Sequence, residues 1–197
     1  MDIPKILRHS VELLQLRNEE IKDFEKELFE YQTNRFYSEI INVNTKNIAV
    51  IYAFSKESFK DFWSNIRTKS VDEIKEEYGK LKIILILNDY PSSITYQALQ
   101  KKELQLAAEE GFIQIFLMQE LMYNPTKHEL VPKHEKMNNE DVKVLMENLK
   151  LKAKTQLPFI QKTDVIARWL GIQSGDVVKI TRYSPTSGKS YYYRCCI

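Results

Sequence analysis

Near the start of the chain, apolar residues recur every three or four positions, the spacing that places them on one face of a helix. The pattern runs over residues 4–32 and lapses at Arg17–Glu20. It therefore predicts a helical segment in which the lapse could be a break between two helices.

Three later segments are apolar runs with many β-branched residues, a composition typical of buried strands. They are residues 47–54 ("NIAVIYAF"), 81–89 ("LKIILILND") and 112–118 ("FIQIFLM"). Helices are predicted between them, because Ser55 is a good N-cap, residues 71–78 fit a short helix, and a third helix can start at Pro91 and stop at Gly111. The alternation of strands and helices predicts a sheet with helices packed on it.

The second half of the chain has shorter segments. Residues 123–136 contain two prolines and no clear period, so the domain boundary is predicted there. Asn138 is a predicted cap for a helix whose buried stripe is Val142, Leu145, Met146 and Leu149.

Next along the chain, Thr163 is a predicted cap for a very short helix. Asp164 would complement the positive end of that helix, and Gly171 would end it. Gly175 and Asp176 predict a turn with positive φ at the glycine, and the strand that follows is predicted to return through a loop at 184–190 as a hairpin. We therefore predict an α+β protein with a helix-flanked sheet at 1–124 and a small mixed α/β domain at 125–197.

Charge separates the two predicted domains. Residues 1–124 hold 16 Lys and Arg against 20 Asp and Glu, a balance of −4, whereas residues 125–197 hold 13 against 7, a balance of +6. This asymmetry suggests different partners for the two parts. The charged start of the chain does not fit a secretory signal, no apolar run is long enough to span a membrane, and the adjacent Cys195 and Cys196 are expected to be reduced thiols of an intracellular protein.

The sequence has few of the patterns on which enzymes depend. It lacks glycine-rich phosphate loops and the Gly-x-Ser-x-Gly turn of serine hydrolases. His128-Glu129 and His134-Glu135 could supply zinc ligands, but their spacing is not helical, and an exposed linker or strand is preferred. A metal-dependent nuclease would need acidic residues on neighbouring strands, and Asp89 stands alone. No cofactor and no metal are therefore expected.

Basic and aromatic residues are interleaved near the C-terminus. This surface could bind nucleic acid, or it could be the solvated face of a half-buried hairpin. The residues are Arg168, Lys179, Arg182, Lys189 and Arg194, with Tyr183 and Tyr191–Tyr193.

Two segments resemble a known family. "HELVPKH" (128–134) and "QLPFIQKTDVIARWLGIQSGDVVKI" (156–180) are similar to the fifth subunit shared by the eukaryotic nuclear RNA polymerases, and to its archaeal counterpart, which lacks the N-terminal domain. The likeness covers residues 119–197. The first 118 residues match only in the order of elements, except that Pro91 and Ser92 fit a family segment that opens a helix near downstream DNA.

The resemblance implies a non-catalytic polymerase subunit. Its C-terminal domain would dock on the largest subunit and so on the rest of the core polymerase. Its N-terminal jaw would face downstream double-stranded DNA and contact it weakly. Transcription activators could also bind the jaw. The predicted DNA-proximal residues are Pro91 and Ser92, which fit the family segment, together with Ser93 at the same helix start and Lys101 and Lys102 further along the helix. Leu157, Ile160 and Val178 could equally be plain core residues, and Arg168, Lys179 and Arg182 are the better docking candidates. The full predicted docking set is Leu157, Pro158, Ile160, Asp164, Arg168, Gly171, Gly175, Val178, Lys179 and Arg182. A transiently bound transcription factor and a nuclease-like first domain are the alternatives.

The chain departs from the family pattern at several positions. Phe159 replaces an arginine, Val165 replaces a proline, and Gln173-Ser174 replace a basic pair. Such drift, with many Lys, Asn and Ile, resembles a homologue from a large cytoplasmic DNA virus or a reduced eukaryote. The expected location is the nucleus for a cellular protein, or the host cytoplasmic virus factory and the virion for a viral one.

Overall fold

The computed structural model describes residues 2–31, 35–186 and 188–197. The chain forms two compact units, of which the first ends at Tyr123 and the second begins at Asn124. This division lies one residue before the predicted boundary. Both units combine helices and sheets, so the α+β class is confirmed.

The first unit is built on a four-stranded sheet in the order β1-β2-β3-β4. The strands are β1 (Ile41–Asn44), β2 (Ile48–Ala53), β3 (Lys82–Leu87) and β4 (Phe112–Leu117). β2, β3 and β4 are parallel and correspond to the three predicted strands, whereas β1 is antiparallel to β2. The sequence did not indicate β1, because this edge strand is short and two of its four residues are asparagine.

Helices cover both faces of this sheet. α4 (Lys56–Thr68), α5 (Val71–Tyr78) and α6 (Ser93–Ala107) pack on one face, where Ile51, Leu85 and Phe62 share a buried core. Because successive strand residues point to opposite faces, Tyr52 faces the other side. There its hydroxyl lies 2.8 Å from Ser10 Oγ on α1 (Ile3–Leu16).

The long N-terminal helical pattern is interrupted where the lapse predicted a break. α1 ends at Leu16, Asn18 has φ 59°, and α2 (Lys22–Glu30) follows. A short helix, α3 (Arg35–Ser38), then leads into the sheet. The helix predicted to reach residue 32 therefore ends at Glu30 within the described residues.

Two predictions about α6 are wrong. Pro91 is not its first residue, because Ser92 is the N-cap and the helix begins at Ser93. Gly111 does not adopt the left-handed conformation of a helix-ending glycine, since that conformation belongs to Glu110, with φ 58°. Gly111 instead lies where a Cβ would be 2.7 Å from Leu81 O, so its space is taken by the neighbouring backbone.

The second unit contains a sheet in the order β5-β7-β8-β6. Its strands are β5 (Lys133–Lys136), β6 (Phe159–Ile160), β7 (Val177–Ser184) and β8 (Gly188–Cys196). β7 and β8 form the predicted hairpin, β5 was predicted only as an alternative to a linker, and the two-residue β6 was not predicted. Short 3₁₀ turns lie at Met118–Leu121 in the first unit, and at Pro125–Lys127 and Lys154–Gln156 in the second.

A hydrophobic core lies on each face of this second sheet. Cys195 packs with Val142 and Leu145 of α7 (Asn139–Asn148), and Cys196 packs on the opposite face with Ala167 of α8 (Val165–Trp169). Both thiols are free, as predicted. Burial raises the pKa of the Cys196 thiol, because the thiolate would be poorly solvated there.

Local capping in the second unit follows the sequence with two corrections. Asn138 caps α7, and Gly171 and Gly175 have φ +66° and +87°, as predicted. The cap of α8 is Asp164 and not Thr163, since its Oδ1 accepts hydrogen bonds from two helix amides. Leu149 is exposed instead of buried, because α7 ends one residue before it.

Within the described ranges, no helix combines the length and the apolar character that crossing a bilayer requires.

Candidate functional surfaces

The segment Pro91–Ser93 lies at the edge of the first sheet where β2 and β3 end. A crevice of about 390 Å³ opens there, lined in part by Lys56, Asn88 and Ser92. Ser92 Oγ accepts a hydrogen bond from Thr95 N at 3.4 Å, and both Ser92 and Ser93 are exposed. The first turn of α6 thus presents amide groups and hydroxyls to solvent, an arrangement that suits an anion.

Lys101 and Lys102 are not part of this surface. They belong to a separate cleft, which α6 forms with α4 and α5. Lys102 is only 8% exposed, and its ammonium donates to Lys69 O at the C-terminal end of α4. The structure therefore divides the predicted DNA-proximal set into two groups on different parts of α6.

Three predicted docking residues have buried side chains. Leu157, Ile160 and Val178 are enclosed in the two cores of the second unit. Their side chains stabilise the fold and are not available to a partner. This burial agrees with the alternative that these three are core residues, and any effect of substituting them on docking would act through the fold.

The other predicted docking residues lie at or near the surface. Pro158, Asp164, Gly175 and Arg182 are exposed, and Arg168, Gly171 and Lys179 are half-buried. Asp164 is committed to capping α8, and the two glycines act through their backbone conformation. The arginines and Lys179 are the members of this set whose side chains can make charged contacts with a partner.

Cations of the hairpin stack on its tyrosines. Lys179 Nζ lies 4.4 Å from the ring centre of Tyr191, and Arg182 Cζ lies 4.7 Å from that of Tyr192, distances typical of cation–π contacts. Lys189 Nζ approaches Tyr191 from a second position at 5.3 Å. A hydrogen bond with Tyr191 and the nearby phenol groups raise the pKa of Lys189, so this ammonium stays charged.

The two sets of contacts use opposite faces of the hairpin. Neighbours along β8 alternate in direction, so Tyr191 and Tyr192 point to opposite sides. The sequence indicated the interleaving of basic and aromatic residues, but not this pairing, which depends on the β7–β8 register. The pairing holds one cation on each face of the hairpin, Lys179 beside Tyr191 and Arg182 beside Tyr192.

An exposed apolar group lies near the N-terminal end of α8. Phe159 and Val165 are each about half exposed and line a small cavity of about 390 Å³ with Arg194, whose guanidinium donates to Phe159 O. Sequence reasoning missed these residues as surface contacts. The sequence did contain an indication, because Phe159 and Val165 replace an arginine and a proline of the family pattern and so change the chemistry of this surface.

The candidate zinc ligands make local contacts. His128 Nδ1 accepts from Leu130 N, and His134 Nδ1 lies 2.6 Å from Pro132 O. Asn88 Nδ2 donates to the solitary Asp89. Across residues 2–31, 35–186 and 188–197, no three His, Cys, Asp or Glu side chains are grouped so that they could hold a metal ion.

Comparison with known proteins decides the family. Residues 123–196 match the model of the family described as "RNA polymerase Rpb5, C-terminal domain". The chain is 35% identical to the "DNA-directed RNA polymerases I, II, and III subunit rpabc1" of Dictyostelium discoideum over 149 residues. This aligned segment covers 75% of this chain and 72% of that protein. This chain belongs to the Rpb5 family.

A second relative supports this membership. The protein with the corresponding name from Caenorhabditis briggsae is 44% identical over 90 residues, or 46% of this chain and 42% of that protein. The Rpb5 family model covers almost the whole second unit, which runs from Asn124 to Ile197. The resemblance inferred from residues 128–134 and 156–180 is thus confirmed.

Proposed function

We propose that this chain is a non-catalytic subunit of a multisubunit DNA-directed RNA polymerase. The observation that carries the proposal is its 35% identity, over three quarters of its length, to a subunit whose name assigns it to RNA polymerases I, II and III. In this role it has no reaction centre of its own and contributes to assembly and to the shape of the enzyme. Its location is the nucleus in a cell, or a virus factory and virion if the gene is viral.

The second unit anchors the chain on the largest subunit and through it on the rest of the core enzyme. It has a surplus of positive charge, and tyrosines of the hairpin hold two of its cations, Lys179 and Arg182, in place. Such preorganised cations lose less conformational freedom on docking than free lysines do. Arg168, Lys179 and Arg182 supply charged contacts, and Phe159 and Val165 supply adjoining apolar contacts.

The first unit forms the jaw that faces downstream duplex DNA. Pro91, Ser92 and Ser93 open α6, where amide groups and hydroxyls can meet a phosphate. The unit carries a net charge of −4, which opposes tight binding of DNA to the unit alone. Contact with DNA is therefore weak and depends on the position that the assembled polymerase imposes.

Affinity purification of the tagged chain, followed by mass spectrometry, tests this role. A true subunit recovers the two largest polymerase subunits in stoichiometric amounts and keeps them at high salt. Loose recovery that high salt abolishes would instead indicate a transiently bound transcription factor. Failure to recover any polymerase subunit would overturn the proposal.

A pair of charge-reversal variants tests the docking surface. Lys179→Glu with Arg182→Glu is expected to reduce recovery of the largest subunit. The matched control is Lys143→Glu with Lys152→Glu, which changes the net charge equally at exposed positions outside the hairpin. Equal loss of recovery in both double variants would show that the hairpin has no specific role.

A further inference from the structure

The first unit contains a cleft that the proposed function does not use. It has a volume of about 720 Å³ and lies between the end of α4, the start of α5 and the middle of α6. Its walls include four cationic residues, Arg67, Lys69, Lys101 and Lys102, beside the partly apolar surface of Trp63. A concentration of positive charge is unexpected in a unit whose net charge is −4.

The negative charges near the cleft are already engaged. Glu73 accepts a hydrogen bond from Ser70 N in the capping box of α5, and this bond is the main reason why its pKa is lowered. Glu77 pairs with Lys69. Each carboxylate thus has a structural partner.

Two of the cations remain available. Arg67 and Lys101 are both exposed, and in the described part of the chain neither has a hydrogen-bond or ion-pair partner. The ammonium of Lys102, which lines the same cleft and donates to Lys69 O, adds to the positive potential. The cleft therefore combines two free cations with an aromatic wall.

We propose that this cleft binds an acidic peptide segment that also carries a large apolar side chain. The carboxylates would pair with Arg67 and Lys101, and the apolar side chain would pack against Trp63. The partner is a protein with an acidic segment, and the inference does not depend on assembly into a polymerase.

Charge around the cleft favours a peptide over a nucleic acid. A DNA duplex carries phosphates along its whole length and would extend beyond the cleft over the flanking helices. Those helices carry further carboxylates outside the cleft lining, with Glu57 and Asp61 on α4 and Asp72 and Glu76 on α5. A short peptide can place its carboxylates in the cleft alone and so avoid this repulsion.

Tryptophan fluorescence of the full chain can measure the binding. The chain has two tryptophans, and Trp169 is fully buried in the second unit, so a peptide in the cleft changes mainly the emission of Trp63. The probe is a short synthetic peptide of aspartates with a central phenylalanine. The same peptide with asparagine in place of every aspartate is the control, and added salt should weaken binding of the acidic form.

Charge reversal identifies the site. Arg67→Glu with Lys101→Glu should weaken the acidic peptide by about tenfold or more, the loss expected when two exposed ion pairs become repulsive. The control is Lys22→Glu with Lys26→Glu, at exposed positions on α2, which makes the same change in net charge. It should leave the affinity for the peptide within about twofold, because its only effect on the cleft is long-range repulsion that salt screens. Circular dichroism checks that both double variants fold. If Arg67→Glu with Lys101→Glu does not fold, Arg67→Gln with Lys101→Gln gives a milder test of the same site.

Three results would overturn the inference. One is no change in Trp63 emission with saturating acidic peptide, and another is equal weakening in the two double variants. The third is that a short DNA duplex binds and loses affinity when Arg67 and Lys101 are reversed, while the acidic peptide does not bind. That last result would assign the cleft to nucleic acid.

Discussion

Gly111 and Gly175 are expected to resist substitution for different physical reasons, and the same mutation at both can separate them. At Gly111 a Cβ would lie 2.7 Å from Leu81 O and 3.0 Å from Leu106 O, and both atoms belong to the backbone. At Gly175 a Cβ would meet nothing within 4 Å, but φ is +87°. The first position is limited by space and the second by backbone conformation.

The magnitudes follow from these distances. To reach an ordinary contact of 3.4 Å, Leu81 O would have to move by about 0.7 Å, the difference between 3.4 and 2.7 Å. That oxygen accepts from Phe112 N at 3.1 Å, at the point where β3 and β4 begin to pair. Overpacking and a weakened hydrogen bond together should make Gly111→Ala cost about 3 kcal/mol. Gly175→Ala should cost about 1–2 kcal/mol, the strain of a left-handed residue with a Cβ.

Asparagine variants provide the decisive comparison. Asparagine tolerates positive φ better than alanine, so Gly175→Asn should recover part of the stability lost in Gly175→Ala. Gly111→Asn should recover none, because its Cβ meets the same two carbonyl oxygens. Gly175→Val should be the most costly change at that position, since a β-branched side chain disfavours positive φ.

Urea unfolding monitored by tryptophan emission provides the assay. Trp63 reports on the unit that contains Gly111, and Trp169 reports on the unit that contains Gly175. The reasoning fails if Gly111→Ala unfolds at the same urea concentration as the wild type. It also fails if asparagine restores stability at Gly111 but not at Gly175.

Three further predictions test capping, ionisation and thiol burial. Asp164→Ala should destabilise the second unit by about 1 kcal/mol in urea unfolding, whereas Thr163→Ala should be nearly neutral, and the reverse order would refute the assignment of the cap. Burial raises the pKa of Tyr78 to about 12, because the phenolate is less well solvated in the folded protein than in the unfolded chain. The free energy of unfolding should therefore be unaffected by this group below pH 10 and should fall as pH rises from 10 to 12. That loss, about 2 kcal/mol, should be absent in Tyr78→Phe, and identical pH profiles would contradict it. Cys195 and Cys196 should react with a thiol reagent much more slowly in the native protein than in urea, and rapid native labelling would show that they are accessible.

The candidate surfaces could be predicted only in part, because residues close in sequence need not share a surface. The first turn of α6 was found from Pro91 and Ser92, but Lys101 lies on a different part of the helix. Lys101 lies nine positions after Ser92, which corresponds to two and a half helical turns and thus to the opposite side of α6. The basic cleft is formed only when α4, α5 and α6 pack together, so no local pattern indicated it.

Sequence alone determined the features that depend on neighbouring residues. Apolar periodicity located the long helices and the three parallel strands, and the Asn138 cap depends on contacts within one turn. Family membership is also a property of the linear order of residues 128–180. These features require no knowledge of the tertiary contacts.

Tertiary structure decided the features that depend on distant contacts. β5 and β6 are too short to be indicated by their own composition and exist because they pair with the hairpin. The space at Gly111 is limited by Leu81, thirty residues earlier in the chain. Lys102, which the sequence presents as a surface cation, is buried because the carbonyl of Lys69 lies within reach of its ammonium, and burial of a charge is tolerable only with such a partner.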